Sequence, residues 1–555
     1  MSRLRIVALG GLDENGNNMY SIEIDNRIII VNTGIKYPED TQFGVQYITP
    51  DLEYLKVNRN KIAAVVITHA HDDMMNGLPI FLKEIKVPVY GPRMCRVILK
   101  NLMPSSDYNK VDFHEIDRNS EYVIDGIRLT TFGLTHSTPD ALGLAIETEN
   151  GEIVIAEQFV IDFNSHDRAF DCDVSRIAEI GKKNVLALLM EASYADKPDF
   201  TSPKHRISNL IRTTFEDAQG RIVVTVYDQN YIRIKEIIAM AREFRRSVFF
   251  YDDELRNNIE ALSELGYYTM PRGIEIPKSK FNNDIKNIVI IVSGSGHKLF
   301  ELMNRIATDE DDILDLTEED TVIIASPIVP GLEKKASALE DELYKDGAHV
   351  VKLDSKTVLS AHPSTEDIKM MLSLLKPKYF IPTMGEYRNF ISAANLALEI
   401  GYPPDRIIIL DNGQIAYFND GILLSCSDFI DVGENMVGDE NNKQITSFVL
   451  RDRETLSTDG VIIIGIAINY NTKEVIAGPD IQSRGVIYVK DSEYVIKNIG
   501  KMAVELIEQH VAEGTYDNMA IRAELRENAS RYVLRETGKR PMILPAIIEI
   551  NLPAR

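Results

Sequence analysis

Cysteine is scarce in this sequence of 555 residues, and long apolar runs are absent. The three cysteines, Cys95, Cys172 and Cys426, lie far apart and in no metal-ligand spacing. This excludes a disulfide framework and is typical of a reducing cytoplasm. No apolar stretch approaches the roughly 18 residues that cross a bilayer, and residues 1–11 predict a first strand rather than a signal peptide. We therefore expect a cytoplasmic protein that does not contact a membrane.

Positive charge is also scarce. The chain has 61 Lys and Arg residues against 84 Asp and Glu residues, a formal net charge of −23. Two polyanions repel each other on average, which disfavours a generic nucleic-acid binder. A nuclease with a local basic or metal-lined groove remains compatible with this charge, and its RNA affinity would fall steeply with salt. Hydrophobic residues at 44% indicate a globular chain, and the length allows several domains of roughly 150 residues.

Short apolar strands alternate with segments of helical periodicity through most of the chain, which predicts α/β structure. From about Pro203 the alternation becomes regular. Residues 222–226 predict a strand, 231–244 a helix and 247–251 the next strand, as in a doubly wound parallel sheet. A polar stretch, residues 431–443, has few large apolar side chains and is the best linker candidate. The strands and two helices that follow it predict a small α/β tail domain.

Histidine is infrequent, with ten in the chain, yet two histidines share one informative position. His69 and His71 directly follow an apolar strand, and their spacing of two lets both side chains point to the same side. Asp73 follows within reach, and His136 lies just after another strand. A lone His-x-His pair is structural or solvated at roughly even odds, but the strand-end context favours a metal site here.

These stretches resemble the metallo-β-lactamase fold, in the branch that carries the inserted β-CASP domain of nucleic-acid nucleases. The whole chain is similar to the ribonuclease J family. The resemblance is carried by Ala-Leu-Gly-Gly at 8–11, by the segments 325–331, 381–388 and 449–453, and by the tail segments 478–485 and 540–545. It implies an α/β fold: a metallo-β-lactamase αββα sandwich with an inserted β-CASP doubly wound domain and a small α/β C-terminal domain.

The resemblance also implies how the chain is divided. Residues 1–202 and 360–430 would form the metallo-β-lactamase domain, and residues 203–359 the β-CASP domain between them. The linker at 431–443 would then lead to a C-terminal assembly domain at 444–555. Because the tail domain of the family mediates assembly, we expect a homodimer or a hetero-oligomer with a paralogue.

The family signature His-x-His-x-Asp-His is kept at His69, His71 and Asp73, but its last histidine is Met74. The histidine of a later motif is kept as His136. Three imidazoles with an open position form a known catalytic zinc arrangement. The resemblance therefore implies one metal ion, zinc or manganese, at the three-histidine site. As an alternative, these histidines persist only as hydrogen-bonded core groups.

The second metal position of the family has lost most of its ligands. The bridging aspartate is replaced by Gln158, a late histidine by Met384, and an early structural aspartate by Asn32. Thioethers do not suit zinc or manganese in a site of oxygen and nitrogen donors. A neutral amide does not offset two dications as a bridging carboxylate does. Only Asp73 remains, as a residual catalytic ligand, so the second metal site is predicted to be empty.

The inserted domain keeps part of a phosphate-binding motif, which reads Val-Leu-Ser-Ala-His at 358–362. By resemblance, Ser360, His362 and Ser364 bind the RNA substrate, and His362 has a weak catalytic role. The two tyrosines at 267–268 predict packing rather than a platform for base stacking.

Two functional hypotheses follow from the resemblance, both in RNA processing and decay, which includes rRNA maturation and mRNA turnover. One is an autonomous, divalent-metal-dependent 5′→3′ exoribonuclease with endonuclease activity. The other is a weakly active or inactive subunit that binds RNA and an active ribonuclease J paralogue. The ligand losses favour the second hypothesis, because the effects of such losses are severe and not independent. A metallohydrolase of small molecules is disfavoured by the β-CASP insertion and the tail domain.

Overall fold

The computed structural model describes residues 3–38, 42–163, 167–294, 296–326, 328, 332–355, 357–438, 445–486 and 493–551. Contacts divide the chain into two compact units, one formed by residues 1–37 and 47–435, the other by 38–46 and 436–555. Part of the predicted linker 431–443 forms a strand, Glu434–Gly438, and residues 439–443 of it lie outside the described residues. In the described part of the chain, we find no helix with the length and apolar character of a membrane span.

The first part of the larger unit contains two mixed sheets, each with parallel and antiparallel strand pairs. Its elements are β1 (Arg3–Gly10), β2 (Met19–Ile24), β3 (Arg27–Val31), β4 (Val45–Pro50), α1 (Glu53–Val57), β5 (Ile62–Val66), α2 (Asp72–Met75), α3 (Leu78–Glu84), β6 (Val89–Gly91), α4 (Arg93–Leu102), α5 (Ser105–Tyr108), β7 (Phe113–Glu115), β8 (Glu121–Ile124), β9 (Ile127–Gly133), β10 (Leu142–Thr148), β11 (Gly151–Ala156), α6 (Val174–Gly181) and β12 (Val185–Glu191), with a 3-10 turn at Arg59–Lys61.

The inserted part follows the regular alternation predicted for it. Its elements are α7 (Ser208–Asp217), β13 (Ile222–Val226), α8 (Tyr231–Glu243), β14 (Ser247–Phe250), α9 (Asp253–Glu264), β15 (Ile288–Ser293), α10 (Gly296–Ala307), β16 (Thr321–Ile324), α11 (Glu333–Lys345) and β17 (His349–Lys352), with a 3-10 turn at Lys278–Lys280. The five strands are parallel in the order β14-β15-β13-β16-β17. Every residue of β13 and β15 is buried, as expected for central strands covered on both faces.

The chain then returns to the two sheets of the first part. The returning elements are α12 (Thr365–Leu375), β18 (Tyr379–Thr383), α13 (Tyr387–Glu399), β19 (Ile415–Asn419) and β20 (Ile422–Ser425), with a 3-10 turn at Pro404–Arg406. They complete an eight-stranded sheet in the order β20-β19-β1-β2-β3-β5-β6-β7 and a six-stranded sheet in the order β18-β12-β11-β10-β9-β8. A core that includes Ile29, Leu144 and Leu188 lies between the sheets, which forms the predicted sandwich.

The tail unit is a smaller α/β structure. Its elements, with the strand at the unit boundary, are β21 (Glu434–Gly438), α14 (Ser447–Thr458), β22 (Val461–Asn469), β23 (Val475–Arg484), α15 (Glu493–Ala512), α16 (Asn518–Thr537) and β24 (Met542–Ile550). The sheet order is β23-β22-β24. One face, with Ile464 and Ile543, is buried in a core shared with both long helices. The opposite face exposes Ile463, Leu544 and Ile548.

Candidate metal centre

The ends of several strands bring the candidate site residues together. His69 and His71 follow β5, and His136 follows β9. Gln158 follows β11, and Met384 follows β18. Because β11, β12 and β18 are parallel neighbours, their carboxyl ends meet at one edge of the six-stranded sheet. Residues far apart in sequence therefore reach a common centre.

The three predicted histidines converge there. Their potential ligand atoms all lie within 4.8 Å of one another, and the His71 Nδ1 and His136 Nε2 atoms are 3.3 Å apart. Two nitrogens bound to one tetrahedral zinc ion at about 2.0–2.1 Å would be about 3.3–3.4 Å apart. The spacing of this pair thus matches one edge of a zinc coordination tetrahedron.

Other ring nitrogens are held by protein groups. The His136 Nδ1 atom lies 3.0 Å from the Ala361 carbonyl oxygen, to which it donates. The His71 Nε2 atom lies 2.8 Å from the Ser137 Oγ atom. Such contacts fix the orientation of a metal-ligating imidazole. Ser137 was not predicted from sequence, although it directly follows His136 and so shares its strand-end position.

The histidines are neutral at physiological pH. Burial, followed by the charge of His71, holds the pKa of His69 well below its usual value. Burial and then the two other histidines do the same for His136, and burial lowers the pKa of His71 to about 4. Neutral imidazoles are the form that binds a metal ion.

Gln158 forms hydrogen bonds with a residue of each of the two predicted metal positions. Its Oε1 atom accepts a hydrogen bond from His69 Nε2 at 2.6 Å, and its Nε2 atom donates to Asp73 Oδ2 at 2.6 Å. A carboxylate at this position would accept at both oxygens, whereas the amide accepts at one end and donates at the other. The side chain therefore connects one retained histidine to the retained aspartate.

Asp73 is partly buried and incompletely satisfied. Asn18 Nδ2 donates to its Oδ2 atom at 3.3 Å, while its buried Oδ1 atom has no hydrogen-bond partner among the described residues and lies 3.8 Å from His71 Nδ1. Burial and then the charge of Asp72 raise the pKa of Asp73 to about 7. An unpaired buried carboxylate oxygen beside three imidazoles is consistent with a cation ligand.

The substituted positions are buried but retain an unusual backbone. Met74 is 0% exposed and Met384 is 5% exposed. Gln158, Met384 and Asn32 have φ values of 48°, 52° and 63°, in the left-handed region that residues other than glycine rarely adopt. Such strain is concentrated at functional sites. These three strand ends thus have a strained backbone of the kind found at functional sites.

Buried polar groups next to the centre form a hydrogen-bonded network. Asn32 Oδ1 accepts from the Thr68 backbone N–H at 3.0 Å, and Asn32 Nδ2 donates to Glu157 Oε2 at 3.1 Å. Thr383 Oγ1 donates to the other oxygen of Glu157 at 3.1 Å. Burial raises the pKa of Glu157 to about 8. No sequence pattern indicated the role of Glu157.

The predicted RNA-contacting residues lie next to this centre. The His362 ring centroid is 6.2 Å from that of His136, and His362 Nδ1 donates to Glu191 Oε1 at 2.6 Å. Burial lowers the pKa of His362, but the charge of Glu191 and its hydrogen bond outweigh burial and raise that pKa. Tyr194 packs 5.1 Å from the His362 ring, and its hydroxyl contacts Ser360. Sequence reasoning missed Tyr194.

Ser364 is placed differently from Ser360 and His362. It is 0% exposed and is the N-cap residue of α12, where Asp367 Oδ2 accepts from its backbone N–H at 3.0 Å. Its Oγ atom is 2.5 Å from Thr201 Oγ1. The structure therefore gives Ser364 a capping contact, and its contact with RNA stays a prediction.

The donor set fits one metal ion at the three-histidine position. Three neutral imidazoles whose potential ligand atoms lie within 4.8 Å of one another suit zinc, and Asp73 offers an unpaired oxygen beside them. The second position of the family does not fit, because Met74, Met384 and Gln158 supply two thioethers and an amide.

A strand-end histidine cluster on an αββα sandwich with a doubly wound insertion defines the metallo-β-lactamase class of metal-dependent hydrolases. Residues 27–156 match the description "Beta-lactamase superfamily domain", and residues 331–407 match "Zn-dependent metallo-hydrolase RNA specificity domain". Residues 219–343 match "Ribonuclease J, beta-CASP domain", and residues 448–550 match "Ribonuclease J C-terminal domain". The chain belongs to the ribonuclease J family of RNA-processing ribonucleases.

Similar proteins support this assignment over the full length. The chain is 30% identical over 549 residues to "Ribonuclease J 2" of Staphylococcus epidermidis, which covers 99% of this chain and 98% of that protein. The same values hold for "Ribonuclease J 2" of Staphylococcus aureus. A crystal structure of a protein of unknown function from Enterococcus faecalis shares the fold, with a TM-score of 0.50 at 15% identity, over 75% of this chain and 100% of that one.

Proposed function

We propose that this chain is an RNA-binding ribonuclease J subunit with little or no phosphodiesterase activity of its own, which acts together with an active ribonuclease J paralogue. The observation that carries the proposal is the position of Gln158. Its amide lies between His69 and Asp73, at 2.6 Å from each, where the family places a bridging aspartate. A neutral group there supports the loss of two-metal hydrolysis.

The physical reason is the charge that the reaction must stabilise. Hydrolysis of a phosphodiester by two metal ions requires anionic ligands that hold both ions and a nucleophilic hydroxide. Here Asp73 is the retained anionic ligand, and burial raises its pKa to about 7. His69, His71 and His136 would still hold one ion, which would supply Lewis acidity to an RNA phosphate.

RNA contact is supported by residues that do not depend on the second metal position. Glu191 is 0% exposed and fixes the His362 ring through Nδ1. Ser360 is partly exposed beside Tyr194. We propose that His362 and Ser360 bind RNA phosphate next to the three histidines, which is also what the match to an RNA specificity domain at 331–407 supports.

The proposed partner is a second ribonuclease J subunit. The similar staphylococcal proteins are named "Ribonuclease J 2". The number marks them as one member of a numbered series within their family. The tail unit offers an apolar sheet face on which Ile463, Leu544 and Ile548 are 42%, 42% and 59% exposed. Exposed apolar patches of this kind mark protein–protein contacts, and a second tail domain would cover this one.

The test is digestion of RNA with a 5′-monophosphate in Mn²⁺, by this protein alone and with an intact paralogue. We expect little decay by the wild-type chain alone, and the same trace of decay by His69→Ala. A triple variant, Met74→His with Gln158→Asp and Met384→His, restores the missing ligands. We expect it to bind a second metal ion and to cleave at least about tenfold faster than wild type, a gain of roughly 1.4 kcal/mol in transition-state stabilisation.

The alternative function, an autonomous 5′→3′ exoribonuclease, has one observation in its favour, the near-tetrahedral spacing of His71 and His136. Robust decay by the wild-type chain alone that His69→Ala abolishes would establish this alternative and refute ours. Metal analysis of the purified protein adds an independent readout. We expect one metal ion per chain in wild type, and none in His69→Ala.

A further inference from the structure

A cationic groove lies on the inserted domain, outside the metal centre. Its cavity has a volume of about 520 Å³ and is lined by Lys235, Ala239, Arg242, Glu243, Tyr268, Thr269 and Pro271. Lys235, Ala239 and Arg242 come from α8, at positions i, i+4 and i+7, and therefore share one face of that helix. Ala239 is exposed and small, so it leaves the floor of the groove open between two cations.

The charge of the groove is positive although the chain carries −23. Glu243, the one carboxylate among the lining residues, is neutralised by Arg212, whose two terminal nitrogens donate to it at 2.5 and 3.0 Å. Lys235 forms an ion pair with Asp167 and lies 5.5 Å from the Tyr268 ring centroid. Arg242 is exposed, and within the described ranges no carboxylate lies within ion-pair distance of it. Its guanidinium is thus available to an external anion.

The rest of the groove lining comes from one short segment of the chain. It consists of the partly buried Tyr268, the exposed Thr269 and the partly buried Pro271. Tyr267, the neighbouring tyrosine, is 9% exposed and packs inward, as expected from the sequence. The Tyr268 ring instead lines the cavity. A cation beside an aromatic ring is the pairing that binds single-stranded nucleotides, because the phosphate takes the cation and the base stacks on the ring.

The groove also lies along a helix that begins at the metal centre. The Ile232 backbone N–H, at the start of α8, donates to the Ser137 carbonyl oxygen at 3.3 Å, and Ser137 Oγ contacts His71 Nε2 at 2.8 Å. Arg242 is ten residues further along, about 15 Å at a rise of 1.5 Å per residue. A single-stranded RNA with one nucleotide at the metal centre would therefore reach the groove within a few nucleotides.

We propose that this groove binds a nucleotide of a single-stranded RNA, with its phosphate on Arg242 and Lys235 and its base against Tyr268, at a distance from the metal centre. This inference rests on the proposed function, since it adds a second contact for the same RNA. An acidic peptide would use the two cations but would gain nothing from the aromatic wall. RNA is therefore the occupant that the lining favours.

The test is the affinity of the full chain for two unstructured oligoribonucleotides, one of three and one of fifteen nucleotides, by fluorescence anisotropy in EDTA over a range of KCl. We expect Arg242→Ala and Tyr268→Leu each to weaken binding of the longer RNA by about fivefold or more, with little effect on the shorter one. Arg242→Ala should also lower the slope of log affinity against log salt by about 0.7 to 1. Arg245→Ala, two residues beyond the end of α8 and outside the groove lining, is the matched control and should leave both values near wild type.

The outcomes of this experiment distinguish the groove proposal from the proposed function. Failure of the wild type to bind either RNA refutes the proposed function. Normal binding of the longer RNA by both groove variants, or an equal loss in Arg245→Ala, refutes the groove while leaving the function intact. Binding of a poly-glutamate peptide that is sensitive to Arg242→Ala, with RNA binding unaffected, assigns the groove to an acidic protein and overturns the proposal. Crosslinking of a 4-thiouridine RNA at residues 268–271 would support it directly.

Discussion

Glu157 shows how single residues behind the centre set its response to pH. The carboxyl group is 1% exposed and is held by Asn32 and Thr383. Burial raises its pKa from 4.5 to about 8. A carboxyl group with a raised pKa in the folded state binds its proton more tightly there than in the unfolded chain, so its contribution to stability is complete below pH 4.5 and is lost as pH rises through about 8.

The substitution Glu157→Gln should therefore flatten the pH dependence of stability. At about 1.4 kcal/mol for each pH unit between the two pKa values, wild type should lose a few kcal/mol of unfolding free energy between pH 5 and 9, and the variant clearly less. Urea unfolding of the larger unit at several pH values measures this. Identical slopes for the two proteins would show that Glu157 ionises normally.

At the scale of residues, sequence predicted the convergence of His69, His71 and His136, because strand ends fix where such side chains point. It also identified Gln158 as a substituted position. It did not predict that one amide would join His69 to Asp73, or that Glu157 would be buried nearby. These contacts depend on side-chain rotamers and on strands that are distant in sequence, which local patterns do not encode.

At the scale of elements, α12 is tied to two other segments by one carboxylate. Asp367 is 0% exposed, and its oxygens accept from the backbone N–H groups of Ile161, Thr201 and Ser364 at 2.9, 2.9 and 3.0 Å. The helix start is thereby joined to the segments after β11 and β12. These hydrogen bonds fix the position of the start of α12 near His362.

Removal of that carboxylate should be costly. Asp367→Ala leaves three buried donors without an acceptor, and each such group costs about 1–3 kcal/mol. We expect a loss of at least about 3 kcal/mol in the free energy of unfolding. Glu366→Ala is the control, since its ion pair with Lys369, at 3.3 Å, is partly exposed and is worth at most about 1 kcal/mol. Equal stability of the two variants in urea unfolding would contradict this account.

The elements of the inserted domain were largely predictable from sequence. Residues 222–226 form β13 as expected, and α8 ends at Glu243, one residue before the expected end. Such segments have apolar patterns long enough to indicate their structure. The polar segment 431–443 was predicted as a linker, yet Glu434–Gly438 forms a strand. Amino-acid composition does not predict the backbone pairing of this segment.

At the scale of the whole molecule, the sheet of the tail unit has one face with exposed apolar side chains. On β22 and β24, Ile463 and Leu544 are partners in register, and Ala467 pairs with Ile548. All four lie on the side opposite the tail core, where exposed apolar groups are unfavourable unless covered. The assembly of the protein should depend on this face.

The substitution Ile548→Asp should weaken self-association or association with a paralogue. A charge in an apolar interface loses its hydration without gaining a partner, so we expect about a tenfold or larger rise in the dissociation constant, measured by light scattering or sedimentation. Val123→Asp, at a residue that is 69% exposed on β8, is the matched control and should leave assembly unchanged. An unchanged mass for Ile548→Asp at all concentrations would exclude this face.

The amide of Gln158 also affects how the molecule withstands changes in its ionic surroundings. A centre built from several carboxylates needs cations to offset their mutual repulsion, and it loosens when those cations are withdrawn. Here a neutral side chain links His69 to Asp73, so the arrangement is held together by its own hydrogen bonds. Under the proposed function, such a subunit would keep its shape through a shortage of divalent ions and would go on binding RNA while a metal-dependent partner has stopped cutting.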